Sequence, residues 1–167
     1  ENLIPRAAKL IPKGNFEVKI STEDFIGYID LLAPVTMFHD SEVPNQYDLY
    51  DFKYSNNIKN YKQSDQLHLY KYFFEKCNPG KYIRNMFFLF VPKVNIKKKK
   101  TEDLSEFRKR ILDELKCVEP ELVQIEYDPN KVINFLLNAK HTIEATDFNK
   151  NSSYLCNWCE YQNYCEK

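Results

Sequence analysis

An α/β fold with a mixed central sheet flanked by helices is what the sequence predicts, on three observations. Strand-like runs crowd the first third of the chain, at residues 16–20, 25–32 and 47–54. After them, helix-spaced and strand-like stretches alternate, which is how a sheet acquires covering helices. The chain is 167 residues long and 43% hydrophobic with 24 basic and 24 acidic residues, enough for one real core. One domain over residues 1–150 and a cysteine-rich tail over residues 151–167 are therefore expected.

Residues 1–14 mix apolar and basic side chains with two prolines, and read as the frayed end of an earlier helix or a linker. The chain begins at Glu1 without a methionine and residues 1–13 lack the pattern of a secretory signal, so an upstream segment is expected. Residues 16–20 alternate as a short strand. In residues 47–54, period two puts Asp51 and Lys53 on one face and Tyr50, Phe52 and Tyr54 on the other. A hairpin closed by the polar connection 34–46 brings Asp30 near Asp51. Two carboxylates that close resist joint ionisation unless a cation lies between them, and hard oxygen ligands select Mg²⁺ or Mn²⁺.

Residues 62–77 place Leu67, Leu69, Tyr70, Phe73 and Phe74 at helical spacing, with Asn78-Pro79-Gly80 as the stop. Gln66 and Tyr70, four apart, share a face of that helix. Residues 82–91 form a nearly continuous apolar run, expected to be a strand buried on both faces at the centre of the sheet. A helix over residues 102–117 carries Leu104, Phe107, Ile111 and Leu115 on one stripe. Residues 122–127 read as a strand, and Pro129 opens a helix carrying Val132, Ile133, Leu136 and Leu137.

Several function classes are excluded by what is absent. No apolar run is long enough to span a bilayer, and no Gly-rich loop cradles a phosphate, so ATP use is not expected. Ser21, Ser41 and Ser55 sit in no nucleophile elbow. The three histidines, His39, His68 and His141, fit no catalytic arrangement and read as polar surface. Lys93, Lys97 to Lys100, Arg108, Lys109 and Arg110 concentrate positive charge on a neutral chain; the patch is either a phosphate-tracking surface or a solvated loop.

Three of five cysteines, Cys156, Cys159 and Cys165, fall near the C-terminus with aromatics between them, while Cys77 and Cys117 stand alone. Such spacing suits a soft metal better than paired disulfides and points to a reducing, cytoplasmic compartment.

Taken in order, Gly27-x-Ile29-Asp30, Asp51-x-Lys53 and Gln66-x-x-x-Tyr70 resemble the PD-(D/E)xK nuclease superfamily, and within it the RecB-like branch of CRISPR-associated, AddB-type and phage exonucleases. The resemblance implies a restriction-endonuclease-like core and metal-dependent DNA hydrolysis, with a helicase or recombination partner. It makes Asp30 and Asp51 metal ligands, with the backbone carbonyl of Phe52 a third. Lys53 would orient or activate the attacking water, and Gln66 and Tyr70 would position the strand or the lysine. The branch also carries an acidic or histidine residue on a helix before the first strand; no convincing helix of that kind precedes Phe16, so the core is expected to lack its upstream first helix, and Glu17, on a strand, is no obvious substitute. Its C-terminal cysteines resemble the end of a four-cysteine iron-sulfur site, with Cys77, Cys117, His141 or an upstream residue as the fourth ligand and zinc as the rival metal. The alternative function is a non-catalytic nucleic-acid-binding or assembly module that keeps the fold.

Overall fold

The computed structural model describes residues 3–36, 41–147 and 150–165. Its elements follow the order α1 (Leu3–Ala8), β1 (Asn15–Ser21), β2 (Ile26–Thr36), β3 (Glu42–Tyr54), α2 (Ile58–Gln63), α3 (Gln66–Cys77), β4 (Tyr82–Val91), α4 (Leu104–Cys117), β5 (Glu121–Ile125) and α5 (Pro129–Glu144). A 3-10 helix (Tyr154–Trp158) and the short α6 (Gln162–Cys165) end the chain. The five strands lie in sequence order, antiparallel except for the parallel pair β3 and β4. The sheet is therefore mixed, as the alternating pattern predicts.

The chain divides into two compact units, Glu1–Val132 and Ile133–Lys167. In the first, α3 packs Leu67, Phe73 and Phe74 against Ile20, Leu49, Phe88 and Phe90 of the sheet, forming the main core. Leu31, Ala33 and Tyr50 gather with Ile11, Phe52 and Phe87 in a second cluster. In the second unit no described residue is buried, and Tyr154, Trp158 and Tyr164 are each more than three-quarters exposed.

Of the two readings of residues 1–14, the structure has the helix: α1 buries Leu3 and Ala7, and Arg6 donates to Val118 O at 2.8 Å and to Leu115 O. It carries no acidic residue and no histidine. Several expectations need correction. The expected helix over residues 62–77 is two helices, because Ser64 caps α2 through Tyr61 O and α3 starts only at Gln66. The 34–46 connection is mostly strand. β1 pairs no further along β2 than Leu32, and Pro34, opposite Tyr47, falls at a register shift, a setting that tolerates a missing N–H. β4 lies inside the sheet, but β3 holds the middle place. On α4, Leu104 is 64% exposed and no residue of the expected stripe is fully buried. Of the apolar residues named on α5, only Val132 is buried. No helix among the described residues is long and apolar enough to cross a membrane.

Candidate active site

Asp51 sits on the middle strand with its side chain toward α3, and is 1% exposed. Alternation along β3 sends Tyr50 and Phe52 to the opposite cluster. One carboxylate oxygen, Oδ2, accepts a hydrogen bond from Gln66 Nε2 at 2.9 Å. The other, Oδ1, is buried and is met by the Lys53 ammonium as an ion pair. Burial pushes the Asp51 carboxyl up to about 6, against the pull of Lys53 and with a further push from the nearby Asp30 carboxylate. The alkyl stem of Lys53 is largely buried, and its Nζ lies 5.2 Å from the centroid of the Tyr61 ring and 5.7 Å from that of Phe88. Aromatic faces thus share the ammonium with Asp51.

Asp30 occupies a gap in the sheet. The ladder between β2 and β3 runs to Leu31 opposite Tyr50, and beyond it Asp30 Oδ2 accepts the backbone N–H of Phe52 at 2.7 Å. A side chain there replaces the carbonyl that a regular ladder would supply. On the other side, Phe16 pairs Leu31 and Val18 pairs Ile29, while Glu17 between them has a φ of 52° and makes no ladder pair with Asp30. Phe16, Glu17, Asp30 and Phe52 line an open cavity of about 340 Å³. Where β2 and β3 stop pairing, the Asp30 carboxylate lies on the Phe52 N–H, near enough to Asp51 to add to the rise of its pKa.

Gln66 is the first residue of α3, and Tyr70 stands one turn on. The Gln66 amide donates to both Asp51 Oδ2 and, at 3.0 Å, to Tyr70 Oη. Tyr70 meets Phe25 edge-on with ring centroids 6.5 Å apart. Gly27 makes that packing possible, since a Cβ there would lie 2.9 Å from Tyr70 Cε1 and from Phe25 Cε1.

All five predicted residues of the first unit thus fall in one region: Asp51 touches Lys53 and Gln66, Gln66 touches Tyr70, and Asp30 holds the N–H of Phe52. Glu17 and Tyr61 are additions. The register of β1 against β2 puts Glu17 across from Asp30, a signal available once that hairpin is counted out. Tyr61 carried no signal, because the helix boundary hid it. Among the described residues no three of His, Cys, Asp and Glu stand together closely enough to hold a metal ion. The donor set is two carboxylates, and Asp51 Oδ1, buried with the Lys53 ammonium against it, is the oxygen that a hard cation would share with that lysine.

His68 corrects another expectation. It is 2% exposed, not surface, and its Nδ1 accepts the N–H of Asp128 at 3.1 Å. Burial, with the Lys131 charge, lowers its pKa. His141 lies on α5, and His39 falls outside the described residues.

In the second unit, Cys156, Cys159 and Cys165 line one cavity of about 260 Å³ with Asn151, Ser152 and Gln162. Cys156 Sγ accepts the N–H of Ser153 at 3.3 Å. All five cysteines carry free thiols.

No curated protein matches the chain, and no solved structure does. A family model, that of the PD-(D/E)XK nuclease superfamily, matches residues 9–166. With nearly its whole length matched by that model, and with a mixed sheet on which Asp30, Asp51 and Lys53 converge, the chain belongs to the PD-(D/E)XK nuclease superfamily.

Proposed function

We propose that the chain is a metal-dependent deoxyribonuclease of the RecB-like branch that hydrolyses phosphodiester bonds from DNA ends, working beside a helicase or recombination partner. The observation that carries the reading is the convergence of two carboxylates and one ammonium at the parting of β2 and β3. Asp30, Asp51 and the Phe52 carbonyl hold Mg²⁺ or Mn²⁺. Such a cation lowers the pKa of a bound water and stabilises the leaving oxygen.

Lys53 offsets the charge of the scissile phosphate and orients the water that attacks phosphorus. Its stem, flanked by Tyr61 and Phe88, leaves the ammonium little freedom, so its placement costs little entropy when the phosphate arrives. Gln66 fixes the orientation of the Asp51 carboxylate, and Tyr70 fixes Gln66. Cys156, Cys159 and Cys165 bind an iron-sulfur cluster, or zinc. Supporting this is the tail itself: a unit in which no described residue is buried gains little from apolar burial, and a metal supplies what a core does not.

A non-catalytic DNA-binding module is the second reading, favoured by one observation: Asp30 Oδ2 is already committed to the Phe52 N–H. Digestion of end-labelled single- and double-stranded DNA with Mn²⁺, Mg²⁺ or EDTA, beside Lys53→Ala, separates the two. Metal-dependent loss of the label, absent in the variant, is expected. Equal digestion by parent and variant would remove Lys53 from the chemistry, and no digestion by a folded parent would leave a truncated active site or the binding module, which the same assay on a longer chain separates.

A further inference from the structure

Between β4 and α4 the chain runs as an extended strap in which Lys93, Asn95 and Lys97 are exposed while Val94 and Ile96 are partly covered. Both ends of the strap are fixed. At the first, Asn56 donates from Nδ2 to Lys93 O at 2.9 Å and accepts the Lys93 N–H at Oδ1 at 2.7 Å. At the second, Arg110 grips both carboxylate oxygens of Glu102 at 2.8 Å and donates to Lys97 O at 2.9 Å, and Glu102 Oε2 accepts the Lys99 N–H at 2.9 Å. The Arg110 guanidinium holds the Glu102 carboxyl down at about 2, so this pin stays ionised at neutral pH. Lys98 is turned back onto Glu102 O. Lys97, Lys99 and Lys100 are left exposed, beside the exposed Arg108 and Lys109 of α4.

An open groove of about 470 Å³ separates the strap from α4. Its three carboxylates are each engaged: Glu102 by Arg110, Glu106 by the Asp103 N–H at 3.0 Å, and Asp113 by Lys116 at 2.8 Å. Lys99 and Lys109, which line the same groove, make no ion pair among the described residues. The groove lining itself balances, Lys99, Lys109 and Arg110 against the three carboxylates; over residues 93–116, nine basic against five acidic side chains leave the strap and the first turns of α4 cationic. Its place matters too. Val91 O accepts the N–H of Ser55, two residues beyond Lys53, and the six residues from Val91 to Lys97 reach at most about 20 Å. At about 3.4 Å per phosphate along a duplex strand, that is about six phosphates.

We propose that the strap and the first turns of α4, through Lys97, Lys99, Lys100, Arg108 and Lys109, track the phosphate backbone of the DNA strand whose scissile phosphate lies at Asp51 and Lys53. The inference rests on the reading that the chain acts on DNA. It assigns the strap to affinity, without base recognition, because ammonium groups on exposed stems read charge and spacing only.

The test is binding of labelled single-stranded DNA of about 20 nucleotides, in EDTA, between about 50 and 200 mM salt. A strap variant, Lys97→Gln with Lys99→Gln and Lys100→Gln, is compared with a charge-matched control, Lys9→Gln with Lys13→Gln and Lys19→Gln, after circular dichroism shows both folded. The slope of log K against log salt should flatten by about 2 in the strap variant, at about 0.7 per lost contact, and stay unchanged in the control. Parent-like affinity and slope in the strap variant, or an equal loss in the control, would overturn the proposal. Strap-dependent binding without metal-dependent hydrolysis upholds it and removes the catalytic reading. Hydrolysis with strap-independent binding does the reverse.

Discussion

Gln66 Nε2 stands 2.9 Å from Asp51 Oδ2 and 3.0 Å from Tyr70 Oη, so one amide nitrogen ties a buried carboxylate to a phenol on the next helical turn. An ionised carboxylate oxygen only accepts, so the amide nitrogen is the donor to Asp51. Replacing Gln66 by Ala frees the Asp51 carboxylate to rotate and leaves Tyr70 Oη without this donor. The expected loss in kcat/KM for DNA is about 10–100-fold, the usual range for groups that orient a metal ligand. Tyr70→Phe keeps the amide on Asp51 and should lose less. Steady-state kinetics of the two variants, with melting curves to show equal folding, check the order.

The Asp51 carboxyl, raised by burial from 3.8 to about 6, penalises the folded protein when ionised. A raised pKa means that the folded state binds a proton the unfolded chain has released. The associated stability is complete below about 3.8 and is lost as pH rises through about 6, a difference of roughly 3 kcal/mol. Asp51→Asn mimics the protonated form. Without metal it should melt above the parent at pH 8, by about 1–3 kcal/mol, with the gap closing near pH 4. Adding Mg²⁺ should raise the melting temperature of the parent more than that of the variant. Thermal scans across pH, with and without Mg²⁺, test both parts; an Asn variant less stable than the parent at pH 8 would contradict the assignment of burial as the dominant cause.

His68 has the opposite sign. Burial first, then Lys131, lowers its pKa from 6.5, while Asp128 and Asp65 pull the other way. The folded state therefore refuses a proton that the unfolded chain takes, and stability present above pH 6.5 declines as pH falls below it. His68→Phe removes the acceptor of the Asp128 N–H, at about 1–3 kcal/mol at pH 8. Its deficit relative to the parent should shrink on acidification, as urea titrations at pH 8 and pH 5 would measure.

Gly27→Ala should damage the site from a distance. The added methyl meets the rings of Tyr70 and Phe25 at 2.9 Å, so one of them must move, at about 1–3 kcal/mol. If Tyr70 moves, its link to Gln66 breaks and activity falls along with stability. A variant that melts lower but cleaves DNA at the parent rate would show that Phe25 yields instead.

For the tail, anaerobically purified protein should protect Cys156, Cys159 and Cys165 from alkylation while the exposed Cys77 and Cys117 react. Chelation should then open residues 133–167 to protease, because nothing buried holds them. Five freely reactive thiols in metal-loaded protein would refute the assignment.

The strands were legible because each advertises itself locally: alternation in residues 47–54 placed Asp51 and Lys53 together, and the apolar run 82–91 marked β4 as interior. What escaped depends on partners far along the chain. His68 looks like surface until Asp128 arrives from 60 residues away to be bonded. The break between α2 and α3 rests on the capping bond of Ser64 to Tyr61 O, which helical periodicity does not reveal. Pro34 reads as a loop residue, yet β2 continues through it because β1 has ended by then. Of the candidate site, the residue types and spacing were visible; the exchange of a ladder bond for the Asp30 carboxylate was not, since it needs the register of two strands.

The left-handed backbone at Glu17 bears on what can pair with β1. β1 is an outer strand of the sheet, and outer strands with regular, open hydrogen-bonding groups invite a second chain to add on. A φ of 52° at Glu17 breaks the repeat two residues into β1, and the exposed Lys19 follows in the part that remains. A foreign strand finds only a short stretch to pair with, flanked by charge, so the irregularity that leaves room beside Asp30 also guards this flank against aggregation.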